Sequence, residues 1–217
     1  MRTLLRIICF SKLIVVSYST QIYVRPILYR CYVSTFRTMC DTFSDIIPIE
    51  IEQKLKDLNI YQFLQFPGFE QNAPLIYQLL TMWNIEKQSF IIEGHIVPFT
   101  ADEVALLTGL PNRGEEITWM TLPTSTITSK DIKTEMFELT RESSPDTMLK
   151  TFIMYLCSNL FFQQSNFKVP KMLKTIVNNV DNFSSINWAW AIWECLVEDF
   201  NNVSMKISNN RPADYVN

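Results

Sequence analysis

The residues Gly109-Leu-Pro-Asn-Arg-Gly114 place four residues between two glycines, which is the spacing that opens a nucleotide-binding P-loop. A P-loop next needs Lys and Ser or Thr to reach the phosphates and magnesium, and it leads from a strand into a helix. Here Glu115 and Glu116 follow the second glycine, and their charges would repel a phosphate. The segment therefore predicts a helix that ends and turns, and we assign it no nucleotide.

The other side chains that could carry out chemistry are scattered along the chain. His95 is the single histidine, and as a general base it would need an oriented nucleophile and a carboxylate partner. We expect it in an exposed hairpin turn near Glu93. Cys157 and Cys195 lie on or beside apolar helical faces, which favours buried, unreactive thiols. We therefore predict no catalytic, cofactor-binding or metal-ligating residue, no cofactor and no enzymatic activity.

The tryptophans of the segment WAWAIW, residues 188–193, raise a binding question. Trp188, Trp190 and Trp193 could form a stacking surface or cage for a ligand, or they could pack a buried helix. We expect Trp193 in the core, and the sequence leaves Trp190 open.

Charge is distributed unevenly between the first 38 residues and the rest of the chain. Six of the 19 basic residues and none of the 22 acidic residues lie in residues 1–38, so the remainder holds 13 basic against 22 acidic residues, a net charge of −9. Sequence-independent affinity for nucleic acid comes from Lys and Arg on phosphates. The acidic body therefore disfavours direct nucleic-acid binding.

The five cysteines form no CxxC pair, which favours free thiols in a reducing compartment. The basic, acid-free residues 1–38 resemble a mitochondrial transit peptide. A membrane span needs about 20 apolar residues, whereas only twelve residues, several of them polar, separate Lys12 from Arg25. We predict no stable membrane span and a folded unit that begins at Met39. The extension is targeting-like, membrane-associated or not native to the fold.

A helix with clear boundary signals must position the glycine segment. Thr100 and Glu103 have the spacing of a capping box, and Phe99 and Val104 that of the hydrophobic staple that accompanies it. Gly109 stands where a left-handed residue ends a helix, and Pro111 prevents the helix from continuing. These signals predict a helix over residues 101–108.

Hydrophobic periodicity organises the rest of the body. It predicts a mostly α fold, a helical bundle with one small β-hairpin over residues 90–99, just before the capped helix. The predicted helices cover 50–58, 73–83 with Trp83 at the end, part of 130–146, and three amphipathic segments that start near 149, 170 and 189. Residues 122–130 are expected to form a polar loop, and residues 206–217 a polar tail.

Residues 79–117, LLTMWNIEKQSFIIEGHIVPFTADEVALLTGLPNRGEEI, resemble the N-terminal signature of the plant mobile domain. This transposon-derived family is also called aminotransferase-like. The matching positions, with the adjoining Phe99, are Trp83, Phe90, Gly94, Thr100, Glu103, Val104, Leu107, Gly109, Leu110, Pro111 and Gly114.

A second segment, INWAWAIWECLVEDF around Trp188, is similar to a Trp-Gly-x-Ala helix of that family and to the related domain beside SUMO-type proteases of plant transposons. The chain departs from the family pattern at three positions: Glu103 replaces Asp, Ala189 replaces Gly, and His95 replaces Glu. The resemblance covers residues 50–205, and the family usually continues with further helices. We therefore expect a truncated copy with an extension over 1–38, a domain over 39–205 and a tail.

The resemblance implies a helical module that binds protein partners in the plant nucleus, in gene silencing, meristem maintenance or a transposon-related setting. It does not imply transaminase chemistry, which needs a Schiff-base lysine and a phosphate site. Two alternatives stay open: an organellar (mitochondrial) or membrane-associated protein that uses residues 1–38, and an enzyme with a site assembled from scattered polar residues.

Overall fold

Helices form most of the computed structural model, which describes residues 33–67, 72–119, 122–162 and 168–209. The mostly α fold is confirmed. The α-helices of the described ranges are α1 (Val33–Ser44), α2 (Ile49–Asp57), α3 (Ala73–Thr81), α4 (Ala101–Thr108), α5 (Ser129–Phe137), α6 (Pro145–Leu156), α7 (Lys171–Asn178) and α8 (Trp188–Ser208). Short 3-10 turns cover Tyr61–Phe63 and Val180–Ser185, and a π-helical turn, Cys157–Phe161, extends α6.

Helix α6 lies at the centre of the main core. Eight of its residues between Met148 and Leu156 are buried, as expected of a helix that is apolar on nearly all sides. Helices α2, α5 and α7 pack against it. Phe152 stacks on Phe43 with ring centroids 5.0 Å apart, which joins α6 to α1.

Helix α1 contradicts the predicted start of the folded unit at Met39. The helix begins at Val33, and Met39 lies in its middle with a buried side chain. Phe36, two residues before the expected end of the extension at residue 38, is 2% exposed and stacks on Tyr155 of α6. The apolar residues of α1 recur at helical spacing and face the core together. The turn before Met39 is therefore part of the same buried helix face. The expectations for residues 1–32 lie outside the described part of the chain.

The predicted hairpin is present and carries one additional strand. Strands β2 (Ser89–Ile92) and β3 (His95–Pro98) are antiparallel, and β1 (Trp83–Asn84) pairs with β2 to give the order β1-β2-β3. The expectation that Trp83 ends a helix was wrong. Helix α3 ends at Thr81, and the Met82 carbonyl accepts the Ile91 N–H at 2.8 Å, which turns Trp83 into the sheet.

The expected polar loop over residues 122–130 was also wrong. Thr124–Thr128 forms strand β4, which pairs antiparallel with β5 (Lys168–Pro170). The paired residues are 40 or more positions apart in the chain, so no local pattern indicates the pairing. Pro170, at the predicted start of α7, is the N-cap residue that precedes the helix.

Helix α8 connects the main core to a second apolar cluster. Its 21 residues span roughly 30 Å. The first half packs against α4, and the second half contacts α3 and β1, where Val203 and Leu80 are buried. The helix runs to Ser208, so the predicted tail begins later than residue 206, and residues 210–217 are outside the description.

Candidate functional site

The capped helix α4 has both boundary structures that the sequence predicted. Both halves of the capping box between Thr100 and Glu103 form, and the Thr100 N–H donates to Glu103 Oε2 at 2.7 Å. Gly109 ends the helix in the left-handed region with φ of 76°, and its N–H donates to the Ala105 carbonyl. The interpretation of this segment as a helix that stops and turns is confirmed.

We predict that Thr100→Ala destabilises the protein by about 1 kcal/mol, the usual cost of a lost N-cap side chain. Glu103→Gln is the matched control, because glutamine can also close a capping box, and it should cost less. Urea denaturation followed by circular dichroism measures both free energies of unfolding. A Thr100→Ala protein as stable as the wild type would show that the cap contributes nothing.

The turn after α4 is held against the start of α8 by backbone hydrogen bonds. The Glu115 N–H donates to the Ser185 carbonyl at 2.8 Å, and the Asn187 N–H donates to the Glu115 carbonyl at 2.9 Å. Asn112 donates from its side chain to Asp102 at 2.7 Å, which ties the turn to the start of α4. The segment that resembled a phosphate loop is thus a joint between two helices, and we call residues 109–117 the α4–α8 joint.

Gly114 is required in this joint for a steric reason. Its φ is 115°, and a Cβ there would overlap the Ser185 carbonyl oxygen and lie 3.0 Å from the Ile186 carbonyl carbon. Gly94 has a different role: with Glu93 it forms the two-residue turn of the β2–β3 hairpin, with positive φ at both residues. The sequence indicated both turns but could not show the close approach at Gly114.

Three tryptophans of the chain serve the core and the packing around it. Trp188 is fully buried, and its indole N–H donates to the Phe183 carbonyl at 2.6 Å. Trp193 is half-buried against the core, as expected in part, and donates to the Phe99 carbonyl at 2.7 Å. Trp83 donates to the Asn201 side chain at 2.8 Å. The indole N–H of each of these three tryptophans has an acceptor within the protein, which favours a packing role over a ligand cage. Trp190, for which the sequence made no prediction, is half-buried.

The remaining signature positions surround the same junction. Phe90 and Phe99 are half-buried and meet Trp83 and Phe200 in one aromatic cluster with ring centroids 4.9–6.5 Å apart. Val104 and Leu110 are buried, and Leu107 and Pro111 are partly buried. The structure therefore brings most of the signature together, where it joins α4, the three-stranded sheet and α8.

The candidate reactive groups do not converge. His95 is exposed at the start of β3. Cys157 and Cys195 are buried, and burial raises the pKa of both thiols well above the ordinary range; the neighbouring carboxylate of Glu194 raises the pKa of Cys195 further. Thiols in this state are poor nucleophiles. Among the described residues, no three His, Cys, Asp or Glu side chains form a group that could hold a metal.

A polar groove opens between α2, the start of α6 and the end of α7. Its volume is about 420 Å³, and its lining includes Lys54, Asp57, Asp146 and Lys150. Lys150 and Asp146 form an ion pair at 2.7 Å, so the opposite charges of this groove partly neutralise one another. His95 is not among its lining residues.

Glu194 is a residue that the sequence analysis missed. It lies on α8, half-buried, and accepts hydrogen bonds from the Thr118 side chain and from the backbone N–H of Trp119. Its Oε2 atom is buried and has no hydrogen-bond partner. Burial raises the pKa of this carboxyl, and the hydrogen bonds only partly oppose that effect. The sequence around Glu194 does not indicate its burial, because the residues that contact its carboxyl group, Thr118 and Trp119, lie about 75 residues earlier in the chain.

We predict that Glu194→Gln becomes more stable relative to the wild type as the pH rises from 4 to 7. A raised pKa in the folded protein means that the Glu194 contribution is fully present below the unfolded pKa, near 4.5, and is lost as the pH rises through the folded value. Glutamine does not titrate, so its relative melting temperature should increase over that window. Glu135→Gln, at an exposed position of α5, is the control. A pH-independent difference would contradict the prediction.

No helix in the described ranges has both the length and the apolar character that a bilayer crossing requires.

Comparison with known proteins identifies a family. The model of a family described as a domain of unknown function, DUF8566, matches residues 29–212. This range includes the whole of α1, in agreement with its place in the core. No curated protein and no solved structure matches the chain.

Proposed function

We propose that this chain, which belongs to the DUF8566 family, is a non-enzymatic protein-interaction module of the plant mobile domain type. The observation that carries the proposal is how the signature residues are used. They cap a helix, form turns and fill the junction of α4, the sheet and α8, and they do not direct a set of polar groups into one cavity. Residues that cap helices, form turns and fill a junction stabilise the fold and the surface around it, and they supply no reactive groups for catalysis.

The surface beside this junction supports contact with a partner. Ile96 on β3 is 56% exposed and Leu106 on α4 is 67% exposed. These two residues lie on consecutive elements of the chain, and exposed apolar side chains contribute to protein-binding surfaces. The acidic charge of the body favours protein partners over nucleic acid.

The cellular setting that we propose is the plant nucleus, in gene silencing, meristem maintenance or a transposon-related process. This part rests on the resemblance of residues 79–117 and of the Trp188 segment to the plant mobile domain.

The test is affinity purification of the full-length chain, tagged at its C-terminus, from plant cells, combined with imaging of the same protein. We expect nuclear localisation and stable recovery of the same protein partners in repeated purifications. Import into mitochondria with removal of N-terminal residues would overturn the nuclear assignment. Failure to recover any partner would overturn the interaction module.

A further inference from the structure

Strand β3, residues His95–Pro98, lies at an edge of the three-stranded sheet. It pairs with β2 on one side, and in the described part of the chain no strand pairs with its other side. All four of its residues are exposed, including Ile96 at 56% and Val97 at 41%. An exposed apolar edge strand is a template on which another chain can pair.

The hairpin geometry identifies which backbone groups the edge offers. Glu93 and Gly94 both have positive φ, 51° and 80°, so the hairpin has a two-residue type I′ turn. The pair that closes such a turn, Ile92 with His95, exchanges hydrogen bonds, and the pattern then alternates along the strands. The Ile91–Ile96 pair and the Ser89–Pro98 pair are therefore the ones whose backbone groups point away from each other.

This alternation leaves the N–H and C=O of Ile96 and the C=O of Pro98 directed outward from β3. Proline has no N–H, and an outward position on an edge strand is where its absence costs no ladder hydrogen bond. Ile96 also shares a sheet face with Ile91, its neighbour on β2. The edge thus combines two acceptors and one donor with an apolar side-chain strip.

Acidic side chains are in excess along this part of the chain. Residues 86–113 hold Glu86, Glu93, Asp102 and Glu103 against Lys87 and Arg113. A strand laid along this edge would have acidic groups near both of its ends, so positive charges on that strand would be favoured.

We propose that the outer edge of β3 binds an extended, basic segment of a partner protein, which adds a fourth strand to the sheet. The segment hydrogen-bonds to Ile96 and to the Pro98 carbonyl, its apolar side chains pack on the strip of Ile91 and Ile96, and its Lys or Arg side chains lie near the acids. This is strand addition, in which the backbone supplies affinity and alternate side chains supply specificity. The inference rests on the proposed function, because it names the surface and the partner chemistry of that interaction module.

Pairing with a second copy of the chain is the competing occupant of this edge. It is disfavoured because two copies paired in this way would bring two sets of the same acidic residues together, and like charges facing each other across an interface weaken it.

The direct test uses an acetylated, amidated decapeptide of alternating Lys and Val, and measures its binding to the full-length chain by fluorescence anisotropy. Ile96→Pro removes the outward donor without removing a bond to β2, and we expect at least about tenfold weaker binding, the equivalent of one lost hydrogen bond to the edge. Ile96→Thr is the matched control, since it keeps the N–H and a β-branched side chain, and it should bind within about threefold of the wild type. Thermal melting of each variant checks that the fold is retained.

Two peptide controls keep the test decisive if Ile96→Pro fails to fold. The same decapeptide with Glu in place of Lys should not bind, and a version with N-methylated Val residues, which lacks the donors along one edge, should bind poorly. Equal binding of the Lys and Glu peptides, equal binding of the N-methylated peptide, or no binding of the Lys-Val peptide would each overturn the proposal. A dimer in analytical ultracentrifugation that Ile96→Pro abolishes would also overturn it, in favour of a second copy.

Purification from plant cells separates this inference from the proposed function. If wild type and Ile96→Pro recover the same partners, the chain is an interaction module that does not use the β3 edge. If the wild type recovers partners that Ile96→Pro loses and Ile96→Thr keeps, both proposals are supported. If the wild type recovers none, the proposed function itself fails.

Discussion

Gly114→Ala is expected to destabilise the protein by more than about 4 kcal/mol, which places it among the most damaging single substitutions. The added Cβ would overlap the Ser185 carbonyl oxygen, and the backbone would have to keep a φ of 115° that side-chain-bearing residues avoid. The atoms in the way are backbone atoms of the α4–α8 joint. They cannot move aside without breaking the hydrogen bond from the Glu115 N–H to Ser185.

Gly94→Ala is the matched control for this prediction. Gly94 also has a positive φ, 80°, but a Cβ at that position would meet nothing within 4 Å. Its replacement should therefore cost only the strain of the left-handed backbone, about 1 kcal/mol. Urea denaturation of both variants measures the difference. Equal losses at the two glycines would show that backbone conformation alone matters and that the close approach is unimportant.

Phe36→Ala is expected to destabilise the protein by about 3–5 kcal/mol, the usual cost of removing a buried phenylalanine side chain. The Phe36 ring is 2% exposed, stacks on Tyr155 with centroids 5.7 Å apart, and meets the edge of Phe66 at 6.2 Å. Its loss would leave a cavity between α1 and α6. A chain that begins at Met39 lacks Phe36 and the first half of α1, so it should be at least as unstable.

Phe137→Ala provides the control for Phe36→Ala. Phe137 ends α5 and is 58% exposed, so the same substitution there should change stability by less than about 0.5 kcal/mol. Thermal and urea unfolding of the two variants, and of the chain started at Met39, tests the set. A Met39-started protein as stable as the full chain would mean that α1 is not needed by the core.

The sequence of α1 carries two signals, a helical apolar pattern and a lack of acidic residues, and they predict different structures. Val33, Phe36, Cys40 and Phe43 recur at helical spacing, and all four are buried. The absence of acids before Asp41 suggested a targeting segment, and that compositional signal outweighed the periodicity. Periodicity reports burial more directly than charge does, because a residue must face the core to be selected for apolarity at a fixed spacing.

A second capping box shows that the start of α5 is predictable from neighbouring residues alone. Thr128 and Asp131 cap α5 with the same spacing as Thr100 and Glu103, and hydrogen bonds from Thr128 lower the pKa of Asp131. The start of this helix could therefore have been placed from sequence. The strand before it could not, because β4 exists through its pairing with β5, and its residues Thr124–Thr128 are mostly polar.

The sequence by itself determined the features that a few neighbouring residues make among themselves. The capping box at Thr100, the left-handed end at Gly109 and the hairpin turn at Gly94 are of this kind, because donor, acceptor and backbone conformation lie within one turn of chain. Tertiary structure alone decided the tight approach at Gly114, the burial of Glu194 and the exposure of the β3 edge. Those properties depend on segments that are distant along the chain, and a local sequence pattern does not predict how such segments pack together.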